Sequence, residues 1–167
     1  MEEESLRPKD DGPRGLWFED FVEGHVYVHR PFRTVTEADN VLFTTMTMNS
    51  QSLHLDAIHA AGTEFGKPLV NSLFTLSLVV GLSVSTLTDR TLVANLGFKE
   101  VGFPNPVFPG DTIAASTLVL SKRASRSRPQ QGIVSLEHRG NNQHGDLVCV
   151  TRREALMHFR PQGDASC

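Results

Sequence analysis

The chain has 167 residues, 39% of them hydrophobic, and a formal net charge of −3 at pH 7. That amount of apolar material is enough for one globular core, so we expect a single domain. The small negative charge supplies no overall cationic field, which argues against nucleic-acid binding and against binding to an anionic membrane surface. Any anion site must therefore be local.

The ends of the chain and its two cysteines indicate the domain bounds and the cellular compartment. The stretch MEEESLRPKDDGPRG is acidic and broken by proline and glycine, without the basic-then-apolar order of a signal peptide. We predict a flexible tail over 1–15, a domain over 16–160 and a second tail over 161–167. Cys149 and Cys167 are far apart and belong to no C-x-x-C or histidine pair, which predicts a reducing, cytoplasmic location and no metal site.

The first predicted elements are a strand and two helices. The turn signal EG at 23–24 precedes alternating apolar residues, which predict a strand over 25–35. Residues 36–39, TEAD, have the Thr-x-x-acid spacing of a capping box and stand before an apolar run. We therefore expect a helix over 36–46 and a second, short helix over 56–63.

A long uncharged stretch follows at 68–88, PLVNSLFTLSLVVGLSVSTLT. It is long enough to cross a bilayer, but its eight asparagine, serine and threonine side chains are a heavy polar load for lipid. A helix that is apolar on all sides and rich in small residues is typical of the buried centre of a globular domain. We favour the buried helix over a membrane span.

Beyond residue 90 the pattern changes to strands. Four segments, 91–103, 111–125, 131–143 and 146–159, are rich in β-branched and aromatic residues and are separated by turn signals. The last three are expected to form an antiparallel meander whose final hairpin turns at 141–145. This layout predicts an α+β domain in which one sheet wraps around one helix.

A polar motif, NSQSLHLD at 49–56, follows the first predicted helix. It resembles the motif Asp-x-Asn-Pro-x-His-x-Asp of the MaoC-like, (R)-specific enoyl-CoA hydratases. His54 and Asp56 match that motif in type and spacing, whereas Asn49 stands where an aspartate is usual. The order of elements over 18–159 is also similar to that family, which implies a hotdog fold and at least a homodimer.

The amide in this motif, together with FGKPLVNSLFTL at 65–76, looks like the subgroup associated with mesaconyl-CoA and itaconyl-CoA hydration. The resemblance implies reversible addition of water to a short branched or dicarboxylic enoyl-CoA thioester. It implies no cofactor, since coenzyme A is part of the substrate. Two alternatives stay open: a hotdog acyl-CoA thioesterase, which usually carries a carboxylate on the central helix, and a non-catalytic acyl-CoA binder or inert partner subunit.

Hydration of an enoyl thioester needs an acid/base for the water and Cα, and donors for the enolate oxygen. His54 suits the first role, because an imidazole titrates near pH ~6.5, although a lone histidine is more often structural. Asn49 can orient the water or cap the preceding helix, but it cannot accept the proton. The resemblance implies that a backbone N–H near Ser72 holds the enolate oxygen, and a helix N-terminus suits that role.

The remaining polar residues have simpler interpretations. Asp56 is expected to be the N-cap of the short helix. The basic run over 122–128 is by default a solvated hairpin, but Arg126 and Arg128, with Lys99 as a weaker candidate, could hold the phosphates of coenzyme A. The other histidines are expected at the surface or in strands: His25, His29, His59, His138, His144 and His158.

Overall fold

The computed structural model describes residues 15–161. The predicted tails over 1–15 and 161–167 lie outside this part of the chain, apart from Gly15 and Pro161. Gly15 is buried, and its N–H donates a 2.9 Å hydrogen bond to a backbone carbonyl near the end of the helical region. The described chain therefore begins with a residue that is already part of the fold.

One antiparallel sheet forms most of the structure. The strands run in the order β1-β4-β5-β6-β3, and β2 also pairs with β4. The predicted meander is confirmed, because β4, β5 and β6 are consecutive neighbours with antiparallel register. The strands are β1 Val26–Val28, β2 Arg33–Thr34, β3 Leu92–Gly102, β4 Thr112–Ala124, β5 Gln131–Asn141 and β6 Leu147–His158.

The predicted continuous strand over 25–35 is wrong. Two short strands, β1 and β2, occupy this region, and both pair with β4. The N–H of His29 still donates to the carbonyl of Ala115, at 2.9 Å, but Pro31 follows two residues later and has no N–H to donate. The pairing therefore stops and resumes beyond the proline.

The helices lie between β2 and β3. The capping box predicted at 36–39 is present, since the Thr36 side chain accepts from the Asp39 N–H and the Asp39 carboxylate accepts from the Thr36 N–H. Asp56 is an N-cap, as predicted, and its carboxylate accepts from the N–H groups of Ile58 and His59. The helices are α1 Glu37–Met46, α2 Ser52–Leu55, α3 Ala57–Ala61, α4 Ser72–Leu82 and α5 Val84–Leu87.

The uncharged stretch over 68–88 forms α4 and α5, and α4 packs across the concave face of the sheet. Thr75 and Val79 are its buried residues. Gly140 of β5 lies directly beneath, where an added Cβ would overlap Cγ2 of Val79. A helix held by a curved antiparallel sheet is the expected α+β hotdog arrangement, and that prediction is confirmed.

Apolar side chains of α4 and of the edge strand β3 stay exposed in the single chain. On α4, Leu73 is 56% exposed. On the edge strand β3, Leu96, Phe98 and Val101 are 49%, 43% and 41% exposed. Within residues 15–161, no helix is both long enough and apolar enough to cross a membrane.

Candidate active site

His54 lies in α2, and its ring reaches the segment that leads into α4. Nδ1 of His54 is 3.0 Å from the backbone oxygen of Leu69. Because a carbonyl oxygen can only accept a hydrogen bond, Nδ1 carries the proton, and Nε2 of the neutral ring is the acceptor. The half-buried His54 side chain therefore has the tautomer that a general base needs.

Ser72, predicted as the position of the oxyanion donor, is the first residue of α4. Its N-cap is Asn71, whose side chain accepts from the N–H of Leu73. The N–H of Ser72 donates to no acceptor within residues 15–161. This N–H and the positive end of the helix dipole are therefore available to a developing negative charge.

A cavity of about 390 Å³ contains both groups. His54, Ser72 and Thr75 supply polar atoms, and the rest of the lining is mostly apolar: Leu53, Phe65, Leu69, Val70, Phe103, Pro104, Asn105, Pro106, Val107 and Val148. A pocket with a few polar groups converging on an apolar wall is the usual form of a small-molecule site.

A second cavity, of about 270 Å³, lies on another side of His54. Its lining includes Lys67, Glu37 and Asn40. The ammonium of Lys67 stands 4.3 Å from the ring centroid of Phe108. His54 is a lining residue of both cavities.

Asn49 lies just past the end of α1, after Met48, whose φ of 57° turns the chain. Its Oδ1 accepts from the N–H of Gln51 at 3.0 Å, so its side chain stabilises the turn that follows it. The alternative that Asn49 caps the preceding helix is confirmed through its backbone, because its N–H donates to the carbonyl of Thr44 at 3.0 Å, next to Met48 in the left-handed conformation. Its Nδ2 has no partner within residues 15–161 and can donate to a water molecule or a ligand.

The predicted phosphate-binding residues are not close to His54 in the same chain. Arg126 and Arg128 lie in the β4–β5 hairpin, whereas the cavity lies at the opposite end of the sheet, near Val148. The 11-residue strand β5 separates these ends by on the order of 30 Å. Lys99 forms a 2.6 Å ion pair with Glu154 and does not line the cavity.

Sequence reasoning missed Asn40, which is completely buried beside the site. The side chains that α1 buries are Asn40 and Thr44, whereas Val41, Leu42 and Met46 are exposed. The signal was present in the sequence as two polar residues at i and i+4 on one helix face. A buried helix face is usually apolar, so this polar pair is not the usual signal of burial.

A second polar group was also missed, and it contradicts the expectation of a surface or strand position for His29. Four side chains form a chain of hydrogen bonds across the sheet: Arg153 Nε to His138 Nε2 at 2.8 Å, His138 Nδ1 to Thr117 Oγ1 at 2.7 Å, and Thr117 Oγ1 to His29 Nε2 at 2.7 Å. Arg153 can only donate, so the proton of His138 is on Nδ1. All four residues are at most 3% exposed.

Burial keeps both histidines of this chain neutral. It lowers the pKa of His29 to about 4. The pKa of His138 falls to about 3 because of burial first, and then because of the nearby charges of Arg153 and His29. Neither histidine lines the cavities at His54, so this buried group belongs to the core of the fold.

Comparisons with known proteins agree with this geometry. A family model described as a MaoC-like domain matches residues 20–142. A mesaconyl-CoA hydratase from Cereibacter sphaeroides is 31% identical over 146 residues, which are 87% of this chain and 42% of that protein. A β-methylmalyl-CoA dehydratase from Chloroflexus aurantiacus is 30% identical over 146 residues, which are 87% of this chain and 41% of that protein.

A solved structure from Mycobacterium tuberculosis, described as a double hotdog fold, superposes with a TM-score of 0.78 at 24% identity. The match covers 91% of this chain and 47% of that one. The chain therefore has the hotdog fold. It spans less than half the length of these three proteins.

Proposed function

The chain belongs to the MaoC-like family, and on that premise we propose that it is a hydro-lyase that adds water reversibly to the double bond of an enoyl-CoA thioester. One observation carries the proposal: the carbonyl of Leu69 holds His54 in the tautomer with a basic Nε2, in the same cavity as the N-terminus of α4.

The proposed reaction uses these two groups in sequence. Nε2 of His54 removes a proton from water as the water oxygen bonds to Cβ. The π electrons move toward the thioester, and the N–H of Ser72 stabilises the resulting enolate oxygen. The imidazolium of His54 then returns a proton to Cα. Both proton transfers use the same side chain, so the proposal includes no metal or redox cofactor.

The proposed substrate is a short branched or dicarboxylic enoyl-CoA of the mesaconyl-CoA or itaconyl-CoA type. Asn49 supports this choice, because an amide at this position adds no negative charge beside a second carboxylate of the substrate. The names of the two relatives, a mesaconyl-CoA hydratase and a β-methylmalyl-CoA dehydratase, point to the same class.

A turnover assay with crotonyl-, mesaconyl- and itaconyl-CoA tests the proposal. Loss of the enoyl absorbance without release of free thiol is the expected result. Release of thiol would indicate a thioesterase, but α4 and α5, over 72–87, carry no carboxylate that could serve one. Binding without either signal would identify a non-catalytic acyl-CoA binder or an inert partner subunit.

We also propose a homodimer, in which a second copy covers the exposed apolar groups of β3 and α4. The outer edge of β3 pairs with no strand of the described chain, and an apolar edge is a ready site for strand pairing. The double-length relatives support this proposal, since a second copy would supply as much chain as their other half.

The variant Phe98→Glu tests the proposed dimer directly, because it places a charge on the proposed interface. Sedimentation should show a dimer for the natural sequence and a monomer for this variant. Val28→Glu, an exposed apolar position on β1 at the opposite edge of the sheet, is the matched control and should remain a dimer. A monomeric natural chain at micromolar concentration would contradict the proposal.

Such a dimer would bring Arg126 and Arg128 of one copy near the His54 cavity of the other copy. Antiparallel pairing of two β3 strands reverses one sheet against the other, which carries the β4–β5 hairpin of the second copy toward the His54 cavity of the first. We therefore propose that these arginines contact the phosphates of coenzyme A across the dimer. Arg128→Ala should raise KM for CoA thioesters with little change in kcat, because phosphate contacts are alike in ground and transition states.

The cytoplasm is the proposed location. Acyl-CoA turnover needs no oxidising environment, and Cys149 is a buried free thiol, as expected in a reducing compartment.

A further inference from the structure

Asn40 occupies a position in the core where a polar side chain requires an explanation. Asn40 is 0% exposed, whereas its neighbours Val41 and Leu42 on the same helix are exposed to solvent. Burying an amide without partners is unfavourable, so such groups are retained where hydrogen bonds compensate.

The amide of Asn40 uses its donors and acceptor on three backbone groups. Nδ2 donates to the oxygen of His54 at 3.1 Å and to the oxygen of Leu69 at 3.0 Å. Oδ1 accepts from the N–H of Asn71 at 2.8 Å. A single side chain therefore joins α1 to the His54 turn and to the segment that begins α4.

These three partners are the backbone supports of the proposed reacting groups. The Leu69 oxygen that accepts from Asn40 is the same atom that accepts from Nδ1 of His54. Asn71 is the N-cap of α4 and precedes the N–H of Ser72. The distance between the imidazole and that N–H is therefore fixed through Asn40.

We infer that Asn40 is a positioning residue, which sets the tautomer of His54 and holds its ring in register with the start of α4. This inference rests on the proposed hydratase function for its effect on rate. Asn40 contacts no reacting atom in this role. Its removal should affect the transition state more than substrate binding, because a misplacement of about 1 Å at a reacting centre can cost on the order of 10²-fold in rate.

The test compares Asn40→Leu, which keeps the approximate volume and removes every hydrogen bond, with Thr44→Val as the matched control. Thr44 is equally buried one turn later on α1, and its hydroxyl makes only long contacts, 3.5 Å to Asn40 Oδ1 and 3.4 Å from Asn71 Nδ2. We expect Asn40→Leu to lower kcat on crotonyl-CoA or mesaconyl-CoA by about 10–100-fold, with KM within about twofold of the natural value. Thr44→Val should change neither by more than about twofold.

A second readout needs no turnover. In the ¹⁵N spectrum of the imidazoles of the full-length chain, the natural His54 should show the pure Nδ1–H tautomer, and Asn40→Leu should show a mixture. If Asn40→Leu fails to fold, Asn40→Asp replaces it, since aspartate keeps the acceptor for Asn71 and loses both donors. The same reduction in kcat and the same mixture are then expected.

The outcomes separate the two proposals. If the natural chain hydrates none of the thioesters, the proposed function fails, and the His54 tautomer alone decides the role of Asn40. A folded Asn40 variant that keeps either the natural kcat or the natural tautomer overturns the inference. An equal loss in Thr44→Val, or a loss of kcat/KM that comes mainly from KM, overturns it as well.

Discussion

His54 and His138 hydrogen-bond in opposite ways within one small domain. His54 uses one ring nitrogen on a backbone oxygen, its other ring nitrogen has no hydrogen-bond partner within residues 15–161, and the residue lines a cavity. His138 uses both ring nitrogens on side chains of neighbouring strands and is fully buried. The first arrangement leaves a basic atom for chemistry, whereas the second leaves none.

The difference shows what makes a histidine available as a reagent. A backbone partner fixes the tautomer of His54 without occupying its second nitrogen. Both nitrogens of His138 are occupied by side-chain partners, and burial first, then the nearby charges of Arg153 and His29, lower the pKa of that ring to about 3. We therefore expect variants of His54 to affect turnover and variants of His138 to affect folding.

The largest expected effect is that of His54→Ala on turnover. Loss of a general acid/base should lower kcat by roughly 10²–10⁴-fold while the unfolding midpoint stays near the natural value. Steady-state kinetics on the active thioester and a urea titration measure the two quantities. His59→Ala, an exposed histidine on the adjacent α3, is the control and should match the natural chain. A folded His54→Ala chain with near-natural kcat would show that His54 is structural.

His138→Phe should produce the opposite result. Without His138, the buried guanidinium of Arg153 loses its partner, so the free energy of unfolding should fall by roughly 3–5 kcal/mol. The double variant His138→Phe/Arg153→Met replaces both groups by apolar ones and should recover much of that loss. A double-mutant cycle measures the coupling: urea unfolding is followed for the natural chain, for both single variants and for the double variant. If the two single effects on the free energy of unfolding simply add, the pair is not coupled.

The same comparison predicts how stability depends on pH. The pKa of His29 is lowered to about 4 and that of His138 to about 3, so the unfolded chain binds more protons than the folded one below the ordinary value of 6.5. Stability should therefore be full above about pH 6.5 and fall as the pH drops toward 4, with a slope of up to about 1.4 kcal/mol per pH unit for each histidine. Unfolding titrations at pH 7, 6 and 5 measure the slope. The His138→Phe/Arg153→Met variant should keep only the contribution of His29, and an equal slope in that variant would assign the contribution of His138 to other groups.

The smallest expected effect concerns a charge introduced at Asn49, which lines neither of the two cavities at His54. Asn49→Asp keeps the oxygen that accepts from Gln51, so the turn should be preserved. It should retain or raise the rate on crotonyl-CoA and lower the rate severalfold on mesaconyl-CoA, because a new carboxylate repels both the enolate and a second substrate carboxylate. Asn49→Ala should lower both rates. Equal rates for the natural chain and the alanine variant on every thioester would limit Asn49 to its role in the turn.

Local patterns in the sequence predicted much of this molecule. The capping box at 36–39, the N-cap Asp56 and the three-strand meander depend on neighbouring residues or on turn signals, and all were found. The position of His54 before the start of α4 followed from the resemblance of the 49–56 motif. These features are encoded within short segments of chain.

The features that were missed depend on contacts between distant residues. His29 and Thr117 meet across 88 positions, and Asn40 meets Asn71 across 31. Nothing near either residue in the sequence specifies such a partner, because strand register and helix rotation are set by the packing of the whole domain. The polar buried face of α1 is the exception, since its i, i+4 spacing could be seen in advance.

The contact between Gly140 and Val79 has a consequence for ligand selection. Thr75, one turn before Val79 on α4, lies on one wall of the cavity, and Val148 of β6 lies on another. Gly140→Ala would lift the middle of α4 from the sheet, because its new methyl group would occupy the space of the Val79 side chain. The separation of the two walls would then increase. Under the proposed function, the largest acyl group that fits the cavity would therefore depend partly on Gly140, which is not one of its lining residues, and related chains with a larger residue at this position should accept bulkier thioesters.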